Sequence, residues 1–168
     1  MTTNVDKDTI RKLIDGDLGW DTLENEVLPD PKDPDRFQKT REILQERVDW
    51  DNPILVPLND HLYVVGTEDG RIVKCDCGHE FCSADENWRR ECGIHVREGE
   101  DEQAELYSEV QSISQEWGFQ YREFFCPGCA ALLAVDTVPT GYPVFQKFEP
   151  DIDTFYREWL GTEPPDKR

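Results

Sequence analysis

The sequence predicts an α+β chain: a small antiparallel sheet that carries paired cysteine-containing turns, flanking helices, and an extended helical arm at the N-terminus. Three observations predict this class. Short β-rich runs fill the middle of the chain, helical periodicity marks both ends, and five of the six cysteines fall in two clusters next to predicted strands. The length of 168 residues suits one domain with an attached arm.

Residues 1–53 are predicted to form a helical docking arm. Apolar residues at helical spacing predict a short first helix: Val5, Ile10, Leu13 and Ile14. The proline-rich loop at 28–35 favours extended backbone, after which Asp33 is predicted to cap a second helix with Pro34 at its first position. The apolar stripe of that helix is Phe37, Leu44 and Val48. Two interpretations remain open, a pair of surface helices and an arm that wraps around another subunit.

Residues 54–150 are predicted to form a β-rich core with an inserted helix. A hairpin delivers Cys75 at the end of its second strand, and acidic residues after Cys92 open a helix that runs to about Trp117. That helix has Leu106, Val110 and Ile113 at helical spacing. The predicted strands are ILVPL, HLYVV, RIVKC, FQYREFFC and ALLAVDTV.

Residues 151–168 are predicted to form a C-terminal helix and tail. Either Asp151 or Asp153 can cap this helix. Its apolar stripe is Ile152, Phe155, Trp159 and Leu160. Four large apolar residues of the two ends fit an interface as well as a core: Phe37, Leu44, Trp159 and Leu160.

The two cysteine clusters read KCDCGHEFC at 74–82 and CPGC at 126–129. Each follows a predicted strand and contains a tight glycine turn, which is the pattern of a zinc knuckle in a ribbon-like site. Two knuckles supply four soft thiolates, the set that tetrahedral zinc prefers. The leading predicted ligands are therefore Cys75, Cys77, Cys126 and Cys129.

Alternative ligands remain, because only one residue separates Cys75 from Cys77 and this spacing is less common. Cys82 and His79 are the substitutes. Otherwise Cys82 and Cys92 are interpreted as buried apolar thiols, and His79 as a residue that orients a ligand or is exposed. Four thiolates would leave no position for water, so the site is predicted to be structural rather than catalytic.

Composition excludes several classes of partner and location. The net charge of −19 repels phosphate backbones, so nucleic acid is not an expected partner. The sequence begins without a basic region followed by an apolar run, and no stretch approaches the roughly 18 apolar residues of a membrane span. We therefore expect a cytoplasmic protein, in which clustered cysteines are reduced metal ligands or redox groups rather than disulfides.

Other functions have weaker support in the sequence. The CPGC motif fits a thiol oxidoreductase only if a helix follows it, whereas the sequence after Cys129 favours a strand. A free-standing acidic zinc-ribbon adaptor that recruits a basic partner fits the charge. His61 and His95 are isolated candidate bases, and the chain has neither a phosphate-binding glycine loop nor a nucleophile elbow.

Four segments together resemble the small gamma subunit of the acetone carboxylase family, and related acetophenone carboxylases carry a similar subunit. These segments are KCDCGHEFC, ENWRREC, FFCPGCAALLAVD and DIDTFYREWL. The resemblance implies a bacterial, cytosolic complex with two copies each of alpha, beta and gamma chains, which condenses acetone with bicarbonate to acetoacetate while ATP is cleaved to AMP and two phosphates. It also implies that ATP and manganese bind to the large subunits, and that gamma is a zinc-bearing structural subunit that holds them together.

Overall fold

The computed structural model describes residues 4–106, 118–145 and 148–167, and it confirms the α+β class. The strands form two antiparallel sheets, whereas the sequence analysis anticipates one. The four-stranded sheet contains β1 (Ile54–Pro57), β2 (Leu62–Thr67), β3 (Gly70–Cys75) and β4 (Glu80–Ser83) in that order. The three-stranded sheet contains β5 (Gly93–Glu98), β6 (Phe119–Phe125) and β7 (Leu132–Pro139), also in chain order.

The four-stranded sheet is built around the predicted hairpin of β2 and β3. Gly70 begins β3 directly after the turn and has φ +139°, a conformation that L side chains rarely adopt. The resulting register pairs Leu62 with Cys75, both fully buried. The hairpin therefore places the first predicted ligand at a strand end inside the core.

The three-stranded sheet holds the second cysteine motif between β6 and β7. In β6 the side chains of Gln120, Arg122 and Phe124 are buried on one face, following the two-residue period of a strand. The sequence analysis predicts β6 and β7 but neither β5 nor β4. Each missed strand pairs with a predicted strand, β4 with β3 and β5 with β6.

Helical segments flank the sheets. They are α1 (Lys7–Ile14), α2 (Trp20–Thr22) with a π-helical turn (Leu23–Val27), α3 (Arg36–Gln45), α4 (Glu100–Ala104), and α5 (Ile152–Thr154) with a π-helical turn (Phe155–Trp159). Short 3-10 turns span Trp88–Glu91 and Pro165–Lys167. In place of the start of the helix predicted to run to Trp117, α4 ends at Ala104 and a turn follows at 105–106; the part of the prediction at 107–117 lies outside the described residues. Asp151 caps α5 as predicted, since its carboxylate accepts a hydrogen bond from Thr154 N–H at 3.1 Å.

The predicted capping bond of Asp33 is present, but the predicted start of the helix is wrong: Asp33 Oδ1 accepts a hydrogen bond from Asp35 N–H at 2.9 Å, in the turn that precedes α3. The helix α3 begins later, at Arg36, and Asp35 occupies its N-cap position without a side-chain hydrogen bond. The Asp33 carboxylate also accepts hydrogen bonds from Val5 N–H at 3.0 Å and from Lys39 Nζ at 2.7 Å. Burial raises the pKa of Asp33, but these bonds outweigh it and leave the pKa lowered. A buried ion pair thus joins the start of α1 to α3.

The N-terminal helices pack against the four-stranded sheet. Val5, Ile10, Val27 and Ile43 form one buried cluster between α1, the π-helical turn and α3. Leu44 of α3 belongs to a second buried cluster, which α3 shares with the four-stranded sheet: Leu44, Ile54, Tyr63 and Val65. The proposed division into arm, core and tail stays a prediction, as does the wrapping of the arm around another subunit.

The candidate interface residues differ in exposure. Leu44 is buried, and Phe37 and Leu160 are half-buried against Ile152 and Tyr156. Trp159 is 78% exposed, although its ring lies 6.0 Å from that of Phe155. Of these four candidates, Trp159 is therefore the one with most surface available to a partner.

The C-terminal segment closes over the four-stranded sheet. Tyr156 donates a buried hydrogen bond to the Leu55 carbonyl at 2.8 Å. Arg71 of β3 binds Asp153 at 2.7 Å and Asp166 at 2.6 Å, so the tail is fixed at two points. Within the described ranges, no helix combines the length and apolar character needed to cross a bilayer.

Candidate metal centre

The two cysteine motifs lie where the two sheets meet. Cys75 ends β3 of the four-stranded sheet, and Cys126 directly follows β6 of the three-stranded sheet. Both join one core cluster that draws on the two sheets: Leu62, Val73, Cys75, Trp88, Cys126 and Leu133. The shell around the cysteines is therefore largely apolar.

The first knuckle is the turn from Cys75 to His79. Gly78 adopts φ +92° and donates its N–H to the Cys75 carbonyl at 2.9 Å. Cys75 N–H in turn donates to the His79 carbonyl at 2.8 Å. These two bonds close the turn and direct both cysteines of the CDC sequence to one side.

The second knuckle, from Cys126 to Ala131, repeats this pattern with one more residue. Ala130 adopts φ +59° and donates its N–H to the Cys126 carbonyl at 2.8 Å. Cys126 N–H donates to the Ala131 carbonyl at 2.9 Å. Gly128 N–H also points at Cys126 Sγ, at 3.4 Å. In both knuckles the first cysteine is buried and the second is exposed.

The four sulfur atoms converge on one point. All four ligand atoms lie within 4.8 Å of one another, and the cluster consists of Cys75, Cys77, Cys126 and Cys129. The structure thus brings together the leading predicted set. The contacts cross between knuckles: Cys75 Sγ lies 3.8 Å from Cys129 Sγ, and Cys77 Sγ lies 3.7 Å from Cys126 Sγ.

These distances fit a tetrahedral metal ion and exclude disulfides. A disulfide places its sulfurs about 2.05 Å apart, and all six cysteines are free. Four sulfurs at about 2.3 Å from a tetrahedral zinc ion are separated by about 3.8 Å, the edge of that tetrahedron. The donor set is therefore positioned to bind one metal ion.

The electrostatics of the cluster also favour a cation. Burial raises the pKa of Cys75; a hydrogen bond from the Cys77 backbone opposes this shift, and side-chain contacts with Asp76, Cys77 and Cys126 add to it. A proton or a metal cation must therefore neutralise this buried sulfur at neutral pH.

The substitutes lie outside the sulfur cluster. The backbone of His79 closes the first knuckle, and its ring packs edge-on against Phe81 with centroids 4.8 Å apart. Cys82 is half-buried on β4, where burial and the nearby carboxylates raise its pKa to about 11. Burial likewise raises the pKa of Cys92 to about 12. Both cysteines pack against the core, as the alternative interpretation predicts.

The two knuckles touch at Gly128. A Cβ atom at this position would lie 3.0 Å from His79 Cβ and 3.2 Å from Cys77 Sγ. The glycine is needed here for close approach, which explains its place in the CPGC sequence.

The isolated histidines each pair with a carboxylate. His61 Nδ1 lies 2.6 Å from Asp76 Oδ2, next to the first knuckle, and His95 Nδ1 lies 2.9 Å from Glu123 Oε2 on the three-stranded sheet. Sequence reasoning missed the link from His61 to the knuckle because the two segments are separated along the chain. The predicted hairpin was the available signal, because His61 directly precedes the strand that pairs with the strand ending at Cys75.

Fold and site together define a class: a small α+β protein whose two cysteine knuckles can hold one metal ion. A family model described as "Acetone carboxylase gamma subunit" matches residues 48–160. The acetone carboxylase gamma subunit of Xanthobacter autotrophicus strain Py2 is 40% identical over 157 residues, which cover 92% of each chain. The chain belongs to the acetone carboxylase gamma subunit family.

A more distant relative matches part of the chain. The acetophenone carboxylase beta subunit of Aromatoleum aromaticum is 29% identical over 80 residues, which cover 47% of this chain and 62% of that subunit. The chain thus spans less than two thirds of this second relative.

Proposed function

We propose that this chain is the structural, zinc-binding gamma subunit of an ATP-dependent acetone carboxylase complex. The observation that carries the proposal is the closed set of four cysteines in a member of this family. Cys75, Cys77, Cys126 and Cys129 would each supply one thiolate. A metal ion with four protein ligands has no open position for water or substrate, so its contribution here is structural.

The zinc ion would join the two sheets of the subunit. Cys75 and Cys77 belong to the four-stranded sheet, whereas Cys126 and Cys129 belong to the three-stranded sheet. The free energy of zinc binding to the four thiolates would add to the free energy of folding, because the four sulfurs come together only in the folded chain. The apolar residues around the thiolates exclude water. The backbone hydrogen bonds of each turn hold the sulfurs in place.

The reaction of the complex would take place on the large subunits. We propose that alpha and beta chains bind ATP and manganese and convert acetone and bicarbonate to acetoacetate, with ATP cleaved to AMP and two phosphates. The gamma chain would bridge or stabilise them in a cytoplasmic heterohexamer with two copies of each chain. The relatives named above are themselves carboxylase subunits, which supports this assignment.

The thiol oxidoreductase alternative has little support. The segment after Cys129 continues into the strand β7, so the CPGC motif is not followed by the helix that such an active site requires. The charge of −19 is the observation that favours a free-standing acidic adaptor for a basic partner. A carboxylase subunit should copurify with alpha and beta chains, whereas neither an acidic adaptor nor an oxidoreductase should.

The test is coexpression of the chain with the alpha and beta subunits of the complex. We expect all three chains to copurify with acetone-dependent formation of AMP. The double variant Cys126→Ser, Cys129→Ser should lose zinc and assemble poorly. Cys82→Ser is the matched control, because this thiol lies outside the cluster. Carboxylation by gamma alone, or an active complex that assembles equally well without gamma, would overturn the proposal.

A further inference from the structure

A loop between β1 and β2 connects the two knuckles without passing through the sulfur cluster. Asn59 Nδ2 donates a hydrogen bond to the Leu133 carbonyl at 2.7 Å. Leu133 lies on β7, the strand that continues the second knuckle. Asn59 Oδ1 accepts a hydrogen bond from His61 N–H at 2.9 Å. The loop is therefore attached to the three-stranded sheet.

The same loop holds the residue between the two cysteines of the first knuckle. The His61 carbonyl accepts a hydrogen bond from Asp76 N–H at 2.9 Å, and His61 Nδ1 lies 2.6 Å from Asp76 Oδ2. The Trp50 indole N–H donates to the Asp76 carbonyl at 3.1 Å. Asp76 is thus fixed through its amide, its carbonyl and its side chain.

This arrangement matters because the first knuckle has a single residue between its ligands. The conformation of Asp76 determines where the exposed Cys77 sulfur points relative to the buried Cys75 sulfur. Partners that orient metal ligands raise affinity because they reduce the reorganisation that accompanies binding.

We propose that Asn59 and His61 are positioning residues of the metal centre. They connect Asp76 of the first knuckle to Leu133 beyond the second, and so hold the two pairs of thiols at the separation that one ion requires. This inference rests on the proposed metal centre and adds the residues that preorganise it.

The exposure of His61 allows a positioning role to be distinguished from a general structural one. The His61 side chain is 47% exposed, so its truncation removes little packing. The His95 side chain is 51% exposed and also pairs with a carboxylate, Glu123, but this carboxylate lies within β6 rather than in either knuckle. His95→Ala is therefore a matched control for His61→Ala.

The experiment measures zinc affinity of the purified full chain by competition with a chromophoric chelator at one fixed pH. We expect His61→Ala to weaken zinc binding about 10- to 100-fold, the usual cost of losing a residue that orients a metal ligand. Asn59→Ala should act in the same direction. His61→Asn should recover part of the affinity because its amide can still donate to Asp76, and His95→Ala should match the wild type.

A second measurement excludes a general loss of stability. The thermal midpoint of the metal-free chain should be similar for His61→Ala and His95→Ala, and only the midpoint of the zinc-loaded chain should fall for His61→Ala. Equal zinc affinity of these two variants would overturn the inference while the metal centre stands. An equal loss of stability with and without metal would also overturn it. A wild-type chain that binds no zinc would refute the metal centre itself.

Discussion

Replacing Gly128 by alanine tests whether the two knuckles must approach as closely as the structure places them. The added methyl group would lie 3.0 Å from His79 Cβ and 3.2 Å from Cys77 Sγ. Non-bonded heavy atoms prefer separations of about 3.5–4.0 Å, so one knuckle must move by about half an ångström. His79 Cβ is bonded directly to the backbone of the first knuckle, and Cys77 Sγ must stay in place to bind the metal ion, so the strain falls on the metal-bound state.

The cost of this substitution follows from overpacking. An extra methyl group in a packed site costs about 1–3 kcal/mol. Because about 1.4 kcal/mol corresponds to a tenfold change in a binding constant, we expect zinc affinity to fall about 5- to 150-fold if the strain falls on the metal-bound state. The added methyl group would act by changing the distances between the sulfur atoms of the two knuckles.

The assay is competition for zinc between the purified variant and a fluorescent chelator. Gly93→Ala is the matched control, because a Cβ atom at that position would lie 3.8 Å from the Phe125 carbonyl oxygen, an ordinary contact. We expect the control to bind zinc like the wild type. If Gly128→Ala also binds zinc within twofold of the wild type, the close contact between the knuckles does not control the site.

Three further predictions concern the rest of the fold. Asp33→Asn should lower the free energy of unfolding by about 2–4 kcal/mol in urea titrations, because it removes the buried negative charge that pairs with the Lys39 ammonium; an unchanged midpoint would refute this role. Since the pKa of Asp33 is lowered in the folded chain, its contribution is present at neutral pH and disappears as the pH falls below about 4, so acid should reduce the difference between this variant and the wild type. Tyr156→Phe should cost about 1 kcal/mol by losing its bond to the Leu55 carbonyl, and a cost near zero would contradict that. Trp159→Ala should change the stability of the chain by less than about 0.5 kcal/mol but weaken copurification with the large subunits, whereas normal assembly would remove Trp159 from the interface.

Local signals account for the parts of the structure that the sequence analysis predicted. The hairpin ending at Cys75 and the turn at Cys126 are encoded by short β-rich runs next to glycine turns. These two turns carry all four predicted ligands, so the ligand set could be predicted from local sequence. The Asp151 cap is likewise local, since its partner Thr154 lies three residues away.

Long-range contacts account for the parts that it missed. The strand β5 alternates apolar and polar residues, but the alternation includes only Ile94 and Val96, both exposed, so the signal is short; β5 is held in place by its pairing with β6. The second role of Asp33, its bond to Val5 N–H, was missed because Val5 lies 28 residues away. The division into two sheets also depends on which strands pair, and this is not fixed by the order of β-rich runs.

The measurement that tests the central claim most directly is zinc K-edge X-ray absorption on the purified chain, with the zinc-to-protein ratio determined on the same sample. The four-cysteine centre predicts one zinc ion per chain and a shell of four sulfurs at about 2.3 Å. A shell that contains nitrogen would place His79 among the ligands in place of one cysteine. A chain that purifies without metal, with a reversible thiol couple at Cys126 and Cys129, would contradict the structural zinc centre altogether.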